Sequence, residues 1–307
     1  MEYIALGCMS GTSLDGIDCS LVKSDGVSYV TDISNEFIPY SDDLQLKLRN
    51  VILKGYLDDT KVINQLNQEY KDSINNFIKK NNFEIDLIAM HGQTIYHDQK
   101  TKISIQLFDK SIRFNTNSPV ICNFRKNDLL NGGNGAPIMP EFHRVLANQL
   151  DLKKVIFVNI GGVTNITVID NQKITAGDSS FGNAIVNDLI YEKTKERFDV
   201  DGSLSNNGQK IDVLFKRIIS DKYFLEKLPK SLDRNYFHKY IDNSIKDKKL
   251  NDLIYTFLEV IPFAINSLIS SKSDFKIILM GGGRKNPTLQ KIFSEYFDNI
   301  SLIDNYQ

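Results

Sequence analysis

Apolar and polar positions alternate in two different ways along the chain, which predicts a mixed α/β protein. Short apolar runs bounded by polar or glycine residues predict strands over residues 3–6, 17–22, 27–33, 85–90, 119–124, 155–159, 165–169 and 277–280. Apolar residues that recur every three or four positions predict helices over residues 43–53, 62–78, 140–150, 183–194, 211–219 and 253–269. Pro287 is expected to open one more helix, because proline is favoured at the first helical position.

The same local pattern opens two halves of the chain. In each half a strand leads through a glycine-rich turn to a returning strand, first over residues 3–22 and again over residues 155–169. A run of glycine and asparagine at residues 131–135 lies near the boundary. We therefore expect an N-terminal α/β lobe over residues 1–140 and a C-terminal α/β lobe over residues 141–307.

Composition and charge exclude several classes of partner. The 307 residues carry a net charge of -1, which gives no sign of binding to nucleic acid or to an anionic membrane. Cys8, Cys19 and Cys122 are too scattered for a disulfide framework or a zinc site, and they indicate a reducing compartment. The sequence shows neither a signal-peptide pattern nor a membrane-length apolar stretch, so a cytoplasmic protein is expected.

The first glycine-rich turn is a candidate for phosphate binding. Backbone N–H groups converge in such turns without interference from Cβ atoms. This turn adds the hydroxyl groups of Ser10, Thr12 and Ser13. It also carries Asp15 and Asp18, whose carboxylates suit a magnesium ion.

Two more glycine runs extend this interpretation. Residues 159–165 repeat the design without an acid, and Gly281, Gly282 and Gly283 follow a strand, where they suit a close approach to adenine or ribose. None of the runs matches the Walker loop or the dinucleotide fingerprint. Taken singly, each run is more simply a tight turn, but the repeated strand–turn–strand unit favours phosphate binding.

Asp178 is the leading candidate for a general base. It lies in the run Gly-Asp-Ser-Ser-Phe-Gly-Asn at residues 177–183, which is expected to form a turn ahead of a helix. Phosphoryl transfer needs a base for the attacking hydroxyl or water, and a carboxylate at a helix N-terminus facing a cleft would serve. An N-cap role for Asp178 is equally consistent with these residues.

Polar residues that follow the strand at 85–90 are candidates for sugar binding. His91 lies at the expected strand end, and Gln93 and Thr94 follow it. These side chains suit hydroxyl groups of a sugar. A metal site is set aside, because His91 and His97 have no evident third ligand. A satisfied loop histidine is the simpler interpretation of His97.

Two charged segments have competing interpretations. Arg125 and Asp128 precede the run of glycine and asparagine, and they either grip a substrate or form a structural ion pair. Lys230, Asp233 and Arg234 are interpreted as a surface turn of mixed charge.

Taken in order, several segments resemble the signature of the anhydro-N-acetylmuramic acid kinases. They are residues 9–18 (MSGTSLDGID), 90–94 (MHGQT), 132–137 (GGNGAP), 159–165 (NIGGVTN), 229–231 (PKS), 281–283 (GGG) and 286–287 (NP). Any one segment is modest support. The ordered set spans almost the whole chain and is highly specific.

The resemblance implies an actin/hexokinase/Hsp70-like fold, which is ribonuclease H-like, with two α/β lobes and ATP in the cleft between them. It implies a kinase that uses ATP and Mg2+ in peptidoglycan recycling. The enzyme would open the 1,6-anhydro ring of anhydro-N-acetylmuramic acid with water and phosphorylate O6, giving N-acetylmuramic acid 6-phosphate. The partner is then a small-molecule amino sugar, and a homodimer is the expectation from the family.

The resemblance also implies roles for individual residues. The base that activates the water falls on Asp178, and Asp15 is the expected contact for Mg2+. Nucleotide contacts are expected at Gly11, Thr12, Ser13, Leu14, Asp15, Gly16, Asp18, Gly161, Gly162, Thr164, Gly281, Gly282 and Gly283. Substrate contacts are expected at His91, Gln93, Thr94, Arg125, Asp128 and Asn183.

Three departures from the family pattern bear on activity. The family usually has Asp-Thr-Gly-Pro-Gly-Asn around its base, where this chain has Asp-Ser-Ser-Phe-Gly-Asn, so Phe181 replaces a smaller residue. Asn123 stands where the family commonly has aspartate. The C-terminal lobe is expected to be short after the triple glycine, which makes reduced activity an alternative. Two further alternatives are another sugar or acyl-phosphate kinase or phosphatase of this fold, and a nucleotide- or muropeptide-binding sensor.

Overall fold

Two β-sheets organise the chain, one in each of two units. The computed structural model describes residues 1–11, 14–54, 59–98, 101–269 and 274–306. The chain divides into the units Met1–Ile138 and Met139–Gln307. The sequence placed this boundary after residue 140. Each unit has its own hydrophobic core.

The N-terminal unit is a mixed sheet with helices that cover it. Its strands are β1 (Tyr3–Ser10), β2 (Gly16–Ser24), β3 (Val30–Pro39), β4 (Leu87–Asp98), β5 (Ile103–Leu107) and β6 (Val120–Ile121). Its helices are α1 (Asp42–Lys54), α2 (Thr60–Asn81) and α3 (Phe124–Leu130). β1, β2 and β3 form an antiparallel meander, β4 runs parallel to β1, and β6 runs parallel to β4. α2 buries the apolar face that its spacing predicts.

The C-terminal unit repeats this strand order. Its strands are β7 (Lys154–Ile160), β8 (Val163–Asp170), β9 (Lys173–Phe181), β10 (Lys276–Met280) and β11 (Ile300–Leu302). Its helices are α4 (Pro140–Gln149), α5 (Asn183–Thr194), α6 (Asp212–Ile219), α7 (Leu250–Leu268) and α8 (Pro287–Tyr296). β7, β8 and β9 form the antiparallel meander, and β10 and β11 continue it in parallel beyond β7. Both sheets therefore have the ribonuclease H-like order, which confirms the predicted fold class.

Some local predictions need correction. The segment after Met90, expected to leave the strand at His91, continues β4 as far as Asp98, because β5 supplies hydrogen-bond partners for residues 93–98. The predicted strand over 119–124 shrinks to the two residues of β6, and α3 begins at Phe124. Strands β5, β9 and β11 were not predicted. Pro287 opens α8 as expected.

Across the described ranges, no helix is both long enough and apolar enough to cross a bilayer.

Candidate functional site

Asp178 lies inside strand β9 and not in a turn. The run of small residues continues the strand as far as Phe181, and α5 begins only at Asn183. The N-cap interpretation of Asp178 is therefore wrong, since Gly182 occupies the N-cap position of α5. In the register, Asp178 pairs with Asn165 and Ser180 with Thr164, so Ser179 forms a bulge. Such a bulge redirects the side chains next to it.

A segment that follows α6 binds both the carboxylate and the main chain of Asp178. The N–H of Leu232 donates to Oδ2 of Asp178 at 2.8 Å, and the N–H of Asp178 donates to the carbonyl of Lys230 at 2.8 Å. The Tyr223 hydroxyl donates to the carbonyl of Asp178 at 2.6 Å. Gly177 permits this approach, because a Cβ atom there would lie 2.7 Å from the Lys230 carbonyl oxygen. The Leu232 N–H therefore orients the carboxylate, while two further bonds hold the main chain of Asp178.

Lys230 is buried, which corrects its interpretation as part of a surface turn. Only 5% of the residue is exposed, and its Nζ donates to the carbonyl of Tyr223 at 2.8 Å. Nζ also lies 4.0 Å from the centroid of the Tyr223 ring. Burial lowers the pKa of Lys230 to about 8, although the charges of Glu226 and Asp178 act in the opposite direction. The signal that the sequence offered was the place of Lys230 in the Pro-Lys-Ser segment.

The turn between β7 and β8 is tied to the start of α5. The N–H of Asn183 donates to the carbonyl of Gly161 at 2.8 Å. The N–H groups of Gly182 and Ala184 donate to the carbonyl of Gly162 at 3.0 and 3.2 Å. These contacts occupy the first N–H groups of α5, which a helix otherwise leaves unpaired.

The third glycine run packs directly on the end of β7. Gly281 has a φ of 72°, and a Cβ atom there would lie 2.5 Å from Oδ1 of Asn159. A Cβ atom at Gly283 would lie 2.3 Å from Cγ2 of Ile160. The Asn183 amide also donates to the Ile160 carbonyl, at 3.3 Å. The C-terminal unit therefore brings together the predicted residues Gly161, Gly162, Asn183, Gly281, Gly282 and Gly283.

Thr164 and Phe181 lie behind this cluster. Thr164 is fully buried, and its hydroxyl donates to the carbonyl of Phe181 at 3.0 Å. The Phe181 ring packs edge-on against Phe237 and Phe257, with centroids 5.0 and 5.6 Å away. The departure from the family pattern at Phe181 is thus accommodated in the hydrophobic core of this unit.

In the N-terminal unit, a buried polar network holds the turn between β1 and β2. Gln93 is fully buried, and its amide donates to the carbonyl of Gly11 at 2.8 Å. The hydroxyls of Tyr40 and Tyr70 both donate to Oγ of Ser10, at 2.8 and 3.0 Å. Gln93 therefore positions the first turn, and its direct contact with a substrate stays a prediction.

The remaining residues of this turn are strained or closely packed. Leu14 is buried with a φ of 60°, a conformation that costs energy for any residue except glycine. A Cβ atom at Gly16 would lie 2.4 Å from the Ile38 carbonyl oxygen, so this position requires glycine. Thr12 and Ser13, predicted as nucleotide contacts, lie outside the described residues.

Asp15 and Asp18 lie beside this turn, and carboxylates are ligands that suit Mg2+. Partial burial of the carboxyl, and then the charge of Asp15, raise the pKa of Asp18. A divalent cation would offset this repulsion. Mg2+ usually takes one or two carboxylates and completes its octahedron with phosphate and water. Within the described residues no group of three or more His, Cys, Asp or Glu side chains could hold a metal.

His91, Arg125 and Asp128 gather around one loop. Nε of Arg125 donates to Nε2 of His91 at 3.1 Å, and Nη1 of Arg125 donates to the carbonyl of Gly135 at 2.7 Å. Asp128 accepts from the N–H of Gly135 at 2.6 Å. Burial, and then the Arg125 charge, lower the pKa of His91 to about 4. The ring is therefore neutral, and because Nε2 accepts, Nδ1 donates to the carbonyl of Gly92 at 2.8 Å.

Thr94 follows His91 by three positions on β4 and carries a hydroxyl group. Its Oγ1 is buried and has no hydrogen-bond partner among the described residues. Nδ1 of His97 contacts Oγ of Ser104 at 3.0 Å, on the neighbouring strand. Of the predicted sugar contacts, Thr94 is thus the one whose hydroxyl the protein leaves without a described bond.

Comparison with known proteins gives one consistent family. The family model described as anhydro-N-acetylmuramic acid kinase matches residues 2–305. An anhydro-N-acetylmuramic acid kinase of Pelagibacter ubique is 32% identical over 326 residues, covering 99% of this chain and 87% of that protein. One from Gluconobacter oxydans is 32% identical over 314 residues, covering 98% of this chain and 87% of that protein. The chain belongs to the anhydro-N-acetylmuramic acid kinase family.

Proposed function

We propose that this protein is an ATP-dependent kinase that opens 1,6-anhydro-N-acetylmuramic acid and phosphorylates O6, giving N-acetylmuramic acid 6-phosphate. The observation that carries the proposal is the setting of Asp178. Its carboxylate accepts the Leu232 N–H, and its main chain is bound on both sides by Lys230 and Tyr223. A carboxylate fixed in this way is preorganised for general-base catalysis. A cytoplasmic location and a homodimer are expectations from the family.

The proposed reaction joins a hydrolysis to a phosphoryl transfer. Asp178 accepts a proton from water as the water oxygen bonds to the anomeric carbon. The bond between that carbon and O6 breaks, and O6 takes the γ-phosphoryl group of ATP while the bond to the β-phosphate breaks. The products are the 6-phosphate and ADP, and Asp178 returns its proton to solvent. Positioning and charge stabilisation supply most of the rate enhancement in such transfers.

The nucleotide contacts proposed here lie in both units. In the N-terminal unit they are the turn residues Gly11, Leu14, Asp15, Gly16 and Asp18, and in the C-terminal unit Gly161, Gly162, Gly281, Gly282 and Gly283. Thr164, also predicted from the family pattern, is fully buried and is not among them. The turns would offer backbone N–H groups to phosphate oxygens. Asp15, with Asp18 beside it, would hold Mg2+, which neutralises phosphate charge when bound.

The sugar contacts proposed here are His91, Thr94, Arg125 and Asp128 in the N-terminal unit, with Asn183 in the C-terminal unit. The neutral His91 ring and the Thr94 hydroxyl suit sugar hydroxyl groups. Arg125 remains charged at every accessible pH and suits a carboxylate such as that of a lactyl ether.

A coupled ADP-release assay with 1,6-anhydro-N-acetylmuramic acid tests the proposal. Asp178→Asn should lower kcat by about a hundredfold to ten-thousandfold, the range for loss of a general base. The matched control is Asp233→Asn, because Asp233 is an exposed acid on the same segment, and it should retain wild-type activity. Mass spectrometry should show a product that gained both water and a phosphoryl group. Equal rates for wild type and Asp178→Asn would contradict the assignment of the base.

A further inference from the structure

Asp178, Tyr223 and Lys230 form a closed ring of hydrogen bonds. The N–H of Asp178 donates to the carbonyl of Lys230 at 2.8 Å. The ammonium group of Lys230 donates to the carbonyl of Tyr223 at 2.8 Å. The hydroxyl of Tyr223 donates to the carbonyl of Asp178 at 2.6 Å. Each residue gives one bond and accepts one, so the loss of the Lys230 ammonium or of the Tyr223 hydroxyl opens the ring.

Lys230 is the member of the ring whose burial demands an explanation. Lysine is almost never fully buried unless its charge is satisfied. Here 5% of Lys230 and 4% of Tyr223 are exposed, and the ammonium lies over the Tyr223 ring. Removal of the ammonium would leave the Tyr223 carbonyl with only the longer bond from the Glu226 N–H, at 3.3 Å, among its described contacts. A surface turn would not require this arrangement.

We propose that Lys230 is a positioning residue for Asp178. Its ammonium group fastens Tyr223 to the segment that contains Lys230 and Leu232, and this segment aims the carboxylate through the Leu232 N–H. Lys230 contacts neither the sugar nor the nucleotide in this account. The proposal rests on the proposed function only in giving Asp178 the role of base.

The protonation of Lys230 gives the ring a pH dependence. The groups that face its ammonium are the carboxylates of Asp178 and Glu226 and the Tyr223 ring, and burial outweighs both carboxylates in lowering the pKa of Lys230 to about 8. Burial, and then the charge of Asp178, raise the pKa of Tyr223, so its hydroxyl keeps its proton. As pH rises through about 8, Lys230 loses its proton, and the ring of hydrogen bonds should therefore weaken.

The test compares Lys230→Met and Tyr223→Phe with Lys239→Met. Lys239 is the matched control, because its ammonium also lies over a tyrosine ring, that of Tyr236, at 3.8 Å, and it pairs with Asp221. Among the described contacts, Lys239 makes no bond to Asp178, Tyr223 or Lys230. Two measurements are made on the full-length protein: hydrogen exchange of peptides that contain the Asp178 and Leu232 amides, and the pH profile of kcat with ATP and the anhydro sugar.

Lys230→Met and Tyr223→Phe should speed exchange of these two amides at least tenfold and lower kcat at least tenfold, with KM for ATP within twofold of wild type. Lys239→Met should match wild type in both measurements. Wild-type kcat should fall above pH 8, and Lys230→Met should lack this limb. Unchanged exchange in both ring variants would overturn the proposal even if the kinase activity is established. A different result is possible: the two variants lose amide protection, but the wild-type protein does not act on the anhydro sugar. That result would refute the proposed function and would still support the positioning role of Lys230.

Discussion

The N–H of Leu232 donates to Oδ2 of Asp178 across 2.8 Å, although the two residues are 54 positions apart in the chain. Hydrogen bonds to an ionised acceptor are stronger than those between neutral groups. This bond orients the Asp178 carboxylate on β9. It depends on how closely the backbone of the segment that contains Lys230 and Leu232 approaches the backbone of β9.

The close approach is tested by Gly177→Ala. A Cβ atom at position 177 would lie 2.7 Å from the carbonyl oxygen of Lys230 and 2.9 Å from its backbone nitrogen. The segment that contains Lys230 must therefore move away. We expect kcat to fall at least tenfold and the free energy of unfolding to fall by about 1–3 kcal/mol, as for other overpacked sites. Steady-state assays and urea unfolding measure the two effects.

Gly7→Ala is the control for that substitution. Gly7 is also a strand glycine, but its Cβ atom would lie 3.7 Å from the nearest atom, which is ordinary contact. It should leave kcat within twofold of wild type. If both alanine variants behave alike, the approach to Lys230 is not what matters.

The buried network under the first turn is tested by Gln93→Leu. The substitution removes the donor to the Gly11 carbonyl, and it replaces a polar Oε1 that lies 3.4 Å from the Tyr40 hydroxyl oxygen. Unpaired buried polar groups should lower the free energy of unfolding by about 1–3 kcal/mol. KM for ATP should rise, because the turn loses its anchor. Gln106→Leu on β5 is the control, since its amide bonds only to the Ser104 hydroxyl among described contacts, and a matching rise in its KM would argue against a role for the anchor.

Arg125→Lys tests the loop that contains Gly135. Arg125 donates from two nitrogens to two separate acceptors, His91 and Gly135, and a lysine ammonium cannot reproduce this fork. We expect KM for the anhydro sugar to rise about tenfold or more, equivalent to about 1.4 kcal/mol or more, with KM for ATP unchanged. Arg113→Lys serves as the control, because Arg113 is exposed and its Nη1 bonds only carbonyls of neighbouring residues in its described contacts. A larger effect at Arg113 would be inconsistent with this account.

Two buried histidines predict a loss of stability in acid. Burial lowers the pKa of His143 to about 4, and burial together with Arg125 does the same for His91. The unfolded chain binds these protons near pH 6.5. Between about pH 6.5 and pH 4 the unfolded state therefore holds more protons, so stability falls as pH falls, by up to about 1.4 kcal/mol per pH unit for each histidine.

Urea unfolding between pH 4.5 and pH 7 measures this slope. His143→Phe should reduce it while retaining the stack on Phe157, which has a centroid distance of 4.6 Å in the wild type. An unchanged slope in His143→Phe would show that other groups cause the acid sensitivity.

Much of the fold could be predicted from the sequence, because its elements are strongly periodic. The apolar face of α2, the boundaries of α5 and the paired strand–turn–strand units all follow from local spacing. The family could also be predicted, since its signature consists of short segments in a fixed order.

The sequence was least informative where long-range contacts decide the structure. The last residues of β9 before Phe181 are Gly-Asp-Ser-Ser, which locally favour a turn, yet pairing with β8 makes them part of a strand. Lys230 looks exposed by residue type, and only the Tyr223 carbonyl and ring explain its burial. Likewise, nothing local indicates that Arg125 and Asp128 bind the two polar groups of Gly135.

The contact between Asp178 and Lys230 has a consequence for solubility. β9 is the last strand of its sheet, and the outer edge of such a strand exposes unpaired N–H and carbonyl groups to other chains. The Lys230 carbonyl covers part of that edge by accepting from the Asp178 N–H. The segment that contains Lys230 and Leu232 therefore also shields this part of the sheet edge from pairing with another chain.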